Sequence, residues 1–187
     1  MARYKKIDIR MWNDAKFDKL SNEGKLIFIF LLTAPQGTMI GAVPVDKYTV
    51  CRYLSMSTKR YAKGFQELQE LGMVDYDERG LFFIRNFFKY NPPENPNVVK
   101  SWSSLLDILP ECELLKTIAK AAVTACETLG EQYIQALGEE FKKLAQYSIG
   151  NGSDNGITNG SDNGMPNGMP NQEQEQEQYI NVATQHM

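Results

Sequence analysis

The sequence predicts an α+β fold: a mostly helical domain carrying one small β-hairpin, followed by an α-helical segment and a disordered tail. Three observations predict it. Residues 44–86 run helix, tight turn, helix, strand, Arg-Gly turn, strand. Residues 97–146 keep apolar side chains at helical spacing. Beyond Ile149 the chain is polar and repetitive. The first order is that of a winged helix-turn-helix, the hairpin being the wing. The expected units are residues 1–96, 97–146 and 147–187.

Tyr4 to Arg10 alternate, with Ile7, Ile9 and Met11 on one face and Lys6, Asp8 and Arg10 on the other. That pattern predicts a half-buried strand. Asn13 or Asp14 caps a short helical turn that presents Phe17 and Leu20. Ser21 is the expected N-cap of the first long helix, with Glu23 in its first turn. This helix carries Leu26 to Leu32 and stops before Pro35.

Pro35, Gly37 and Gly41 mark a loop, and Ala42 and Val43 suit a short strand. Pro44 suits the first turn of a second helix reaching Tyr53. Leu54-Ser55-Met56 makes the tight turn. Ser57 caps a third helix that ends near Leu71, at Gly72. Met73 to Asp77 and Leu81 to Arg85 are the strands of the hairpin, joined by Glu78-Arg79-Gly80. Pro92, Pro93 and Pro96 close the domain.

Further on, Trp102, Leu105, Leu106 and Leu109 precede Pro110, and Leu114 to Leu129 continue the helical spacing. Ile134, Leu137, Phe141 and Leu144 form another stripe. Such amphipathic helices need a partner surface. In the tail, Asn151–Gly156 (NGSDNG) recurs eight residues later as Asn159–Gly164. GMPN then repeats, and Gln and Glu alternate from Gln172 to Gln178. This composition cannot offset chain entropy, so disorder is expected.

Charge divides the chain. Residues 1–91 hold 15 basic and 10 acidic side chains; residues 92–187 hold 5 and 13. A basic front suits a polyanion, and an acidic back suits solubility or a protein partner. Cys51, Cys112 and Cys126 form no paired framework and fit a reducing cytosol. The single histidine is His186, which argues against a histidine-based zinc site or catalytic triad. No GxxxxGK[ST] or GxGxxG loop and no acidic metal cluster occurs. No enzyme activity and no cofactor are therefore expected. The opening MARYKK leads into no apolar leader, and the longest apolar run, Leu26 to Leu32, is too short for a membrane. A cytoplasmic, nucleoid-associated protein is expected.

The third helix carries the candidate chemistry. Tyr61, Phe65 and Leu68 form its buried stripe. Lys59, Arg60 and Lys63 lie off that stripe in the first two turns, and Gln66, Glu67 and Glu70 follow. The helix dipole disfavours this charge order by about 0.3–1 kcal/mol per group. A recognition helix carries it because its N-terminal residues meet bases and phosphates. Ser57, Thr58, Lys59, Arg60 and Lys63 are the predicted DNA contacts. Lys47 and Arg52 on the second helix suit phosphates, and Arg79 at the hairpin tip could reach a phosphate or minor groove, although Asp75, Asp77 and Glu78 surround it. Arg3, Lys5 and Lys6 could form an N-terminal arm. The alternative for the third helix is a solvated face with Glu67 pairing back to Lys63. Phe82, Phe83, Phe87, Phe88 and Tyr90 suit core packing better than base stacking.

The stretches YKKIDIRMWNDAKFDKLSNEGKLIFIFLLTAP, MVDYDERGLFFIRNF and NPPENPN resemble the N-terminal domain of phage and prophage replication initiators, also called replisome organisers, which are analogous to the lambda O protein. The resemblance covers residues 1–100, then runs loosely through NVVKSW, LPECEL and NGMPNQEQEQEQ. It implies a winged helix that binds repeated sites in a phage origin as a homodimer. It also implies a C-terminal part that recruits the host replicative helicase or its loader. In lambda-type phages the origin lies inside the initiator gene. The eight-residue peptide repeats, 24 nucleotides apart in the gene, are then either translated origin sites or a simple linker.

Two other functions fit the same residues. One is a phage transcriptional regulator on the same fold. The other is an interaction scaffold whose winged helix no longer binds DNA.

Overall fold

The computed structural model describes residues 5–147. Within them the chain is α+β and mostly helical, with one three-stranded antiparallel sheet. The predicted tail lies outside the described residues, as do Met1 to Tyr4.

The expected strand at Tyr4–Arg10 does not form in the described part. Residues 5–8 are irregular, and Ile9–Asn13 is a 3-10 turn. The Asp8 carboxylate closes it by accepting the Arg10 N–H at 2.9 Å and gripping the Arg10 guanidinium. Ile9 is 82% exposed, and of the expected apolar face only Met11 packs on the core. Alternation alone had no neighbouring strand to pair with.

Asp14 caps α1 (Ala15–Asp18) by accepting the N–H groups of Lys16 and Phe17. Phe17 and Leu20 are buried. Ser21 caps α2 (Asn22–Thr33), which buries Ile27, Phe28, Phe30 and Leu31. After the loop comes β1 (Ala42–Pro44). Pro44 belongs to this strand, opposite Leu81, rather than to a helix. Its missing N–H is tolerated on an edge strand. The next helix, α3 (Lys47–Tyr53), begins three residues after Pro44 because Asp46 caps it. Asp46 accepts the N–H of Tyr48 at 2.8 Å and of Thr49 at 3.0 Å.

The turn Leu54–Met56 leads to α4 (Thr58–Glu70), capped by Ser57. Gly72 follows with φ +60, the left-handed geometry that ends a helix and that glycine adopts without strain. β2 (Val74–Asp77) and β3 (Leu81–Ile84) form the hairpin. The sheet order is β1–β3–β2, so the last strand is central.

β3 explains how the chain is assembled. All four of its residues are buried, and they alternate between two cores. Phe82 and Ile84 face Phe17, Ile27, Leu31, Phe65 and Leu68 from the preceding helices. Leu81 and Phe83 face Val99, Trp102, Ile118, Ala122 and Phe141. Burying each large side chain contributes on the order of 1.5–3 kcal/mol.

That second core consists mainly of residues beyond 96. The short helices α5 (Phe87–Tyr90), α6 (Pro96–Lys100) and α7 (Ser103–Leu106) lead into α8 (Leu114–Leu129). α9 (Glu131–Ala136) and α10 (Glu139–Tyr147) complete it, with α10 packed on α8. The partner surface of the amphipathic stripes is therefore the back of the sheet. The expected boundary at residues 96 and 97 falls at the start of α6, but packing runs across it and residues 5–147 lie in one compact unit.

Candidate nucleic-acid interface

α4 is placed by its contact with α2. The two helices meet at glycines: a Cβ on Gly64 would lie 2.7 Å from the Gly24 nitrogen and 2.8 Å from the Glu23 carbonyl carbon. On one side of this crossing, Glu67 Oε2 accepts the Ser21 N–H at 2.9 Å and the Ser21 hydroxyl at 2.7 Å. On the other, Arg60 donates from Nε and Nη2 to Glu23 Oε1, at 3.0 and 2.9 Å. Glu67 thus serves α2 rather than pairing back to Lys63. The Arg60 guanidinium also holds the Glu23 carboxyl below the usual carboxylate range.

Tyr61, Gly64, Phe65 and Leu68 face the core. Tyr61 stacks on Phe65, and Phe65 meets Phe82 edge-on. The opposite face is solvent: Ser57, Thr58, Lys59, Arg60 and Lys63 are all exposed. Their roles differ. The Ser57 hydroxyl accepts the Arg60 N–H at 3.4 Å and is used as the cap. Arg60 is held by Glu23. Lys59 and Lys63 make no ion pair among the described residues.

Lys47 and Arg52 are exposed on α3. Each lies over the ring of the tyrosine that follows it: Lys47 Nζ is 5.4 Å from the Tyr48 centroid, and the Arg52 guanidinium carbon is 5.4 Å from that of Tyr53. Tyr48 is 65% exposed and Tyr53 50%. The sequence signal for these two tyrosines is that each adjoins a cation in the chain. For Glu23 the sequence signals only its place in the first turn of α2. No spacing rule links it to Arg60, 37 residues away.

The hairpin tip is separate from these cations in its bonding. The Asp77 carboxylate accepts the Arg79 N–H at 2.9 Å. The Arg79 guanidinium donates to the Glu111 carbonyl on the chain between α7 and α8. Asp75 is engaged by Arg85 across the hairpin, at 2.7 and 2.6 Å. At the N-terminus, Lys5 donates to the Gly37 carbonyl at 2.9 Å, and Arg3 lies outside the described residues. Phe82, Phe83 and Phe88 are buried, while Tyr90 is 44% exposed.

Burial raises the pKa of all three thiols, that of Cys126 to about 11. Among the described residues no three His, Cys, Asp or Glu side chains converge on a metal position. None of the described helices is long and apolar enough to cross a membrane.

No family model matches the chain, and comparison with curated proteins and with solved structures returns no match.

Proposed function

We propose that this chain is a sequence-specific double-stranded DNA-binding protein of the winged-helix type. It initiates phage DNA replication by binding the origin and recruiting the host helicase or its loader. The observation that carries the DNA-binding part is the order α2–β1–α3–α4–β2–β3, with sheet order β1–β3–β2. In a winged helix this order makes α4 the recognition helix, and its first two turns carry exposed Lys59, Arg60 and Lys63. Affinity comes from cations on phosphates, and specificity from α4 residues at base edges. The part in replication rests on the sequence resemblance. A homodimer on repeated sites belongs to the same reading.

The test is duplex binding by the full chain and by a Lys59→Ala/Lys63→Ala variant. The reading expects the variant to lose most affinity while keeping its melting temperature. Equal binding by the two proteins would move the interface away from α4.

One observation favours the scaffold as the second reading. Arg60 and Arg79 are both engaged inside the molecule, and Asp77 and Glu78 flank the hairpin tip. A full chain with no duplex affinity at low salt would support it.

A further inference from the structure

We propose that Glu23 is a positioning residue that turns Arg60 toward a guanine instead of the phosphate backbone. The inference rests on the DNA-binding reading above and adds to it a specificity device and the base it reads.

Arg60 is the third residue of α4, where a recognition helix meets base edges. An exposed arginine there would ordinarily sample many rotamers and settle on the nearest phosphate. Here its side edge is occupied. Nε and Nη2 both donate to Glu23 Oε1. The guanidinium is a planar fork of five N–H donors. With the Nε side committed, one N–H on Nη2 and two on Nη1 remain, and the Nη2 one with its neighbour on Nη1 forms the end-on pair. Two parallel donors match the O6 and N7 acceptors of guanine in the major groove.

Glu23 can do this because its own position is fixed. It lies in the first turn of α2, next to Gly24, whose backbone touches Gly64. Its side chain is 23% exposed against 60% for Arg60. The anchor is thus the more buried partner and the reader the more exposed. The carboxylate also places a negative charge beside Arg60 and near Lys63. That charge weakens any purely electrostatic grip on a phosphate chain.

The test uses the full-length protein and a pool of randomised duplexes, with selected base preferences read by sequencing. Wild type, Glu23→Gln, Arg60→Ala and the double variant are compared. Wild type should enrich a motif with a guanine that Arg60→Ala no longer prefers. Glu23→Gln should reduce that preference about tenfold, within the range for one bidentate contact. It should also bind unrelated duplex more tightly at low salt. In the Arg60→Ala background, Glu23→Gln should leave the remaining base preferences unchanged, which a general structural role would not do. The exposed ion pair contributes little to stability, so Glu23→Gln should melt close to wild type. An unchanged guanine preference in Glu23→Gln, or an equal loss with and without Arg60, overturns the inference alone. A wild-type chain that enriches no motif overturns it together with the DNA-binding reading.

Discussion

Gly64 of α4 lies directly against the backbone of Gly24 in α2, so closely that a Cβ on Gly64 would collide with that backbone. This contact sets the distance between the helix that is buried and the helix that is proposed to read DNA. Gly64→Ala should be destabilising although alanine is the better helix former by about 1 kcal/mol. The new methyl would meet backbone, which cannot move aside as a side chain can. Overpacking of this kind costs typically 1–3 kcal/mol. The net loss, up to about 2 kcal/mol once the helix-propensity gain is subtracted, should lower the melting temperature by up to roughly 8 °C. Gly24→Ala should cost less, because its nearest neighbours are the Glu67 and Leu20 side-chain ends. Melting curves of both variants check the order.

The interface predicts a salt signature. Each cation that neutralises a phosphate adds about 0.9 to the slope of log affinity against log salt. Lys59→Ala and Lys63→Ala should each lower that slope by about this amount, uniformly across sequences. Arg79→Ala should leave it unchanged, because its guanidinium is held by the Glu111 carbonyl. Titrations at several salt concentrations measure this directly. A large effect of Arg79→Ala would mean that the hairpin tip leaves its contact to reach DNA.

Acid should weaken the fold through the caps. The Thr49 hydroxyl and the Thr49 and Tyr48 N–H groups hold the Asp46 carboxyl below the ordinary range. A carboxyl depressed in the folded state stabilises above its unfolded value, and that contribution disappears as pH falls through the folded value. The melting temperature should therefore fall below about pH 4. Asp46→Asn keeps a capping oxygen but cannot titrate, so its melting temperature should depend less steeply on pH in this range. An unchanged slope would remove Asp46 as a source of acid sensitivity.

The two cores predict how truncation behaves. Residues 1–96 alone would expose Ile40, Ala42, Leu81 and Phe83, which residues 97–147 now cover. That fragment should aggregate or melt without cooperativity, whereas residues 1–147 should melt like the full chain. Calorimetry of both fragments decides it. A cooperative transition in the shorter fragment would show that the front core suffices.

Much of this architecture was legible in the sequence because its signals are local. Asp14, Ser21 and Ser57 are caps, Gly72 is a stop, and Glu78-Arg79-Gly80 joins the hairpin. Elsewhere tertiary context decides against equally local signals. Ile7, Ile9 and Met11 alternate but have no strand beside them. Pro44 resembles a helix start, yet Leu81 draws it into the sheet and Asp46 takes the cap. Where the back helices dock was not legible, because an apolar stripe does not specify its partner. The exposed cations of α4 follow from the stripe of Tyr61, Phe65 and Leu68. The partners of the arginines do not: Arg60 of α4 with Glu23, and Arg79 of the hairpin tip with Glu111, join segments that chain spacing cannot connect.

Origin binding is decided by a titration against the protein's own coding DNA. The purified full chain is titrated with a duplex carrying the repeat region of its own gene and with a scrambled duplex, at two salt concentrations. With the repeats as translated origin sites, the repeat duplex is bound tightly and selectively, and the selectivity survives the higher salt. Weak and equal binding to both duplexes at both salts would contradict it.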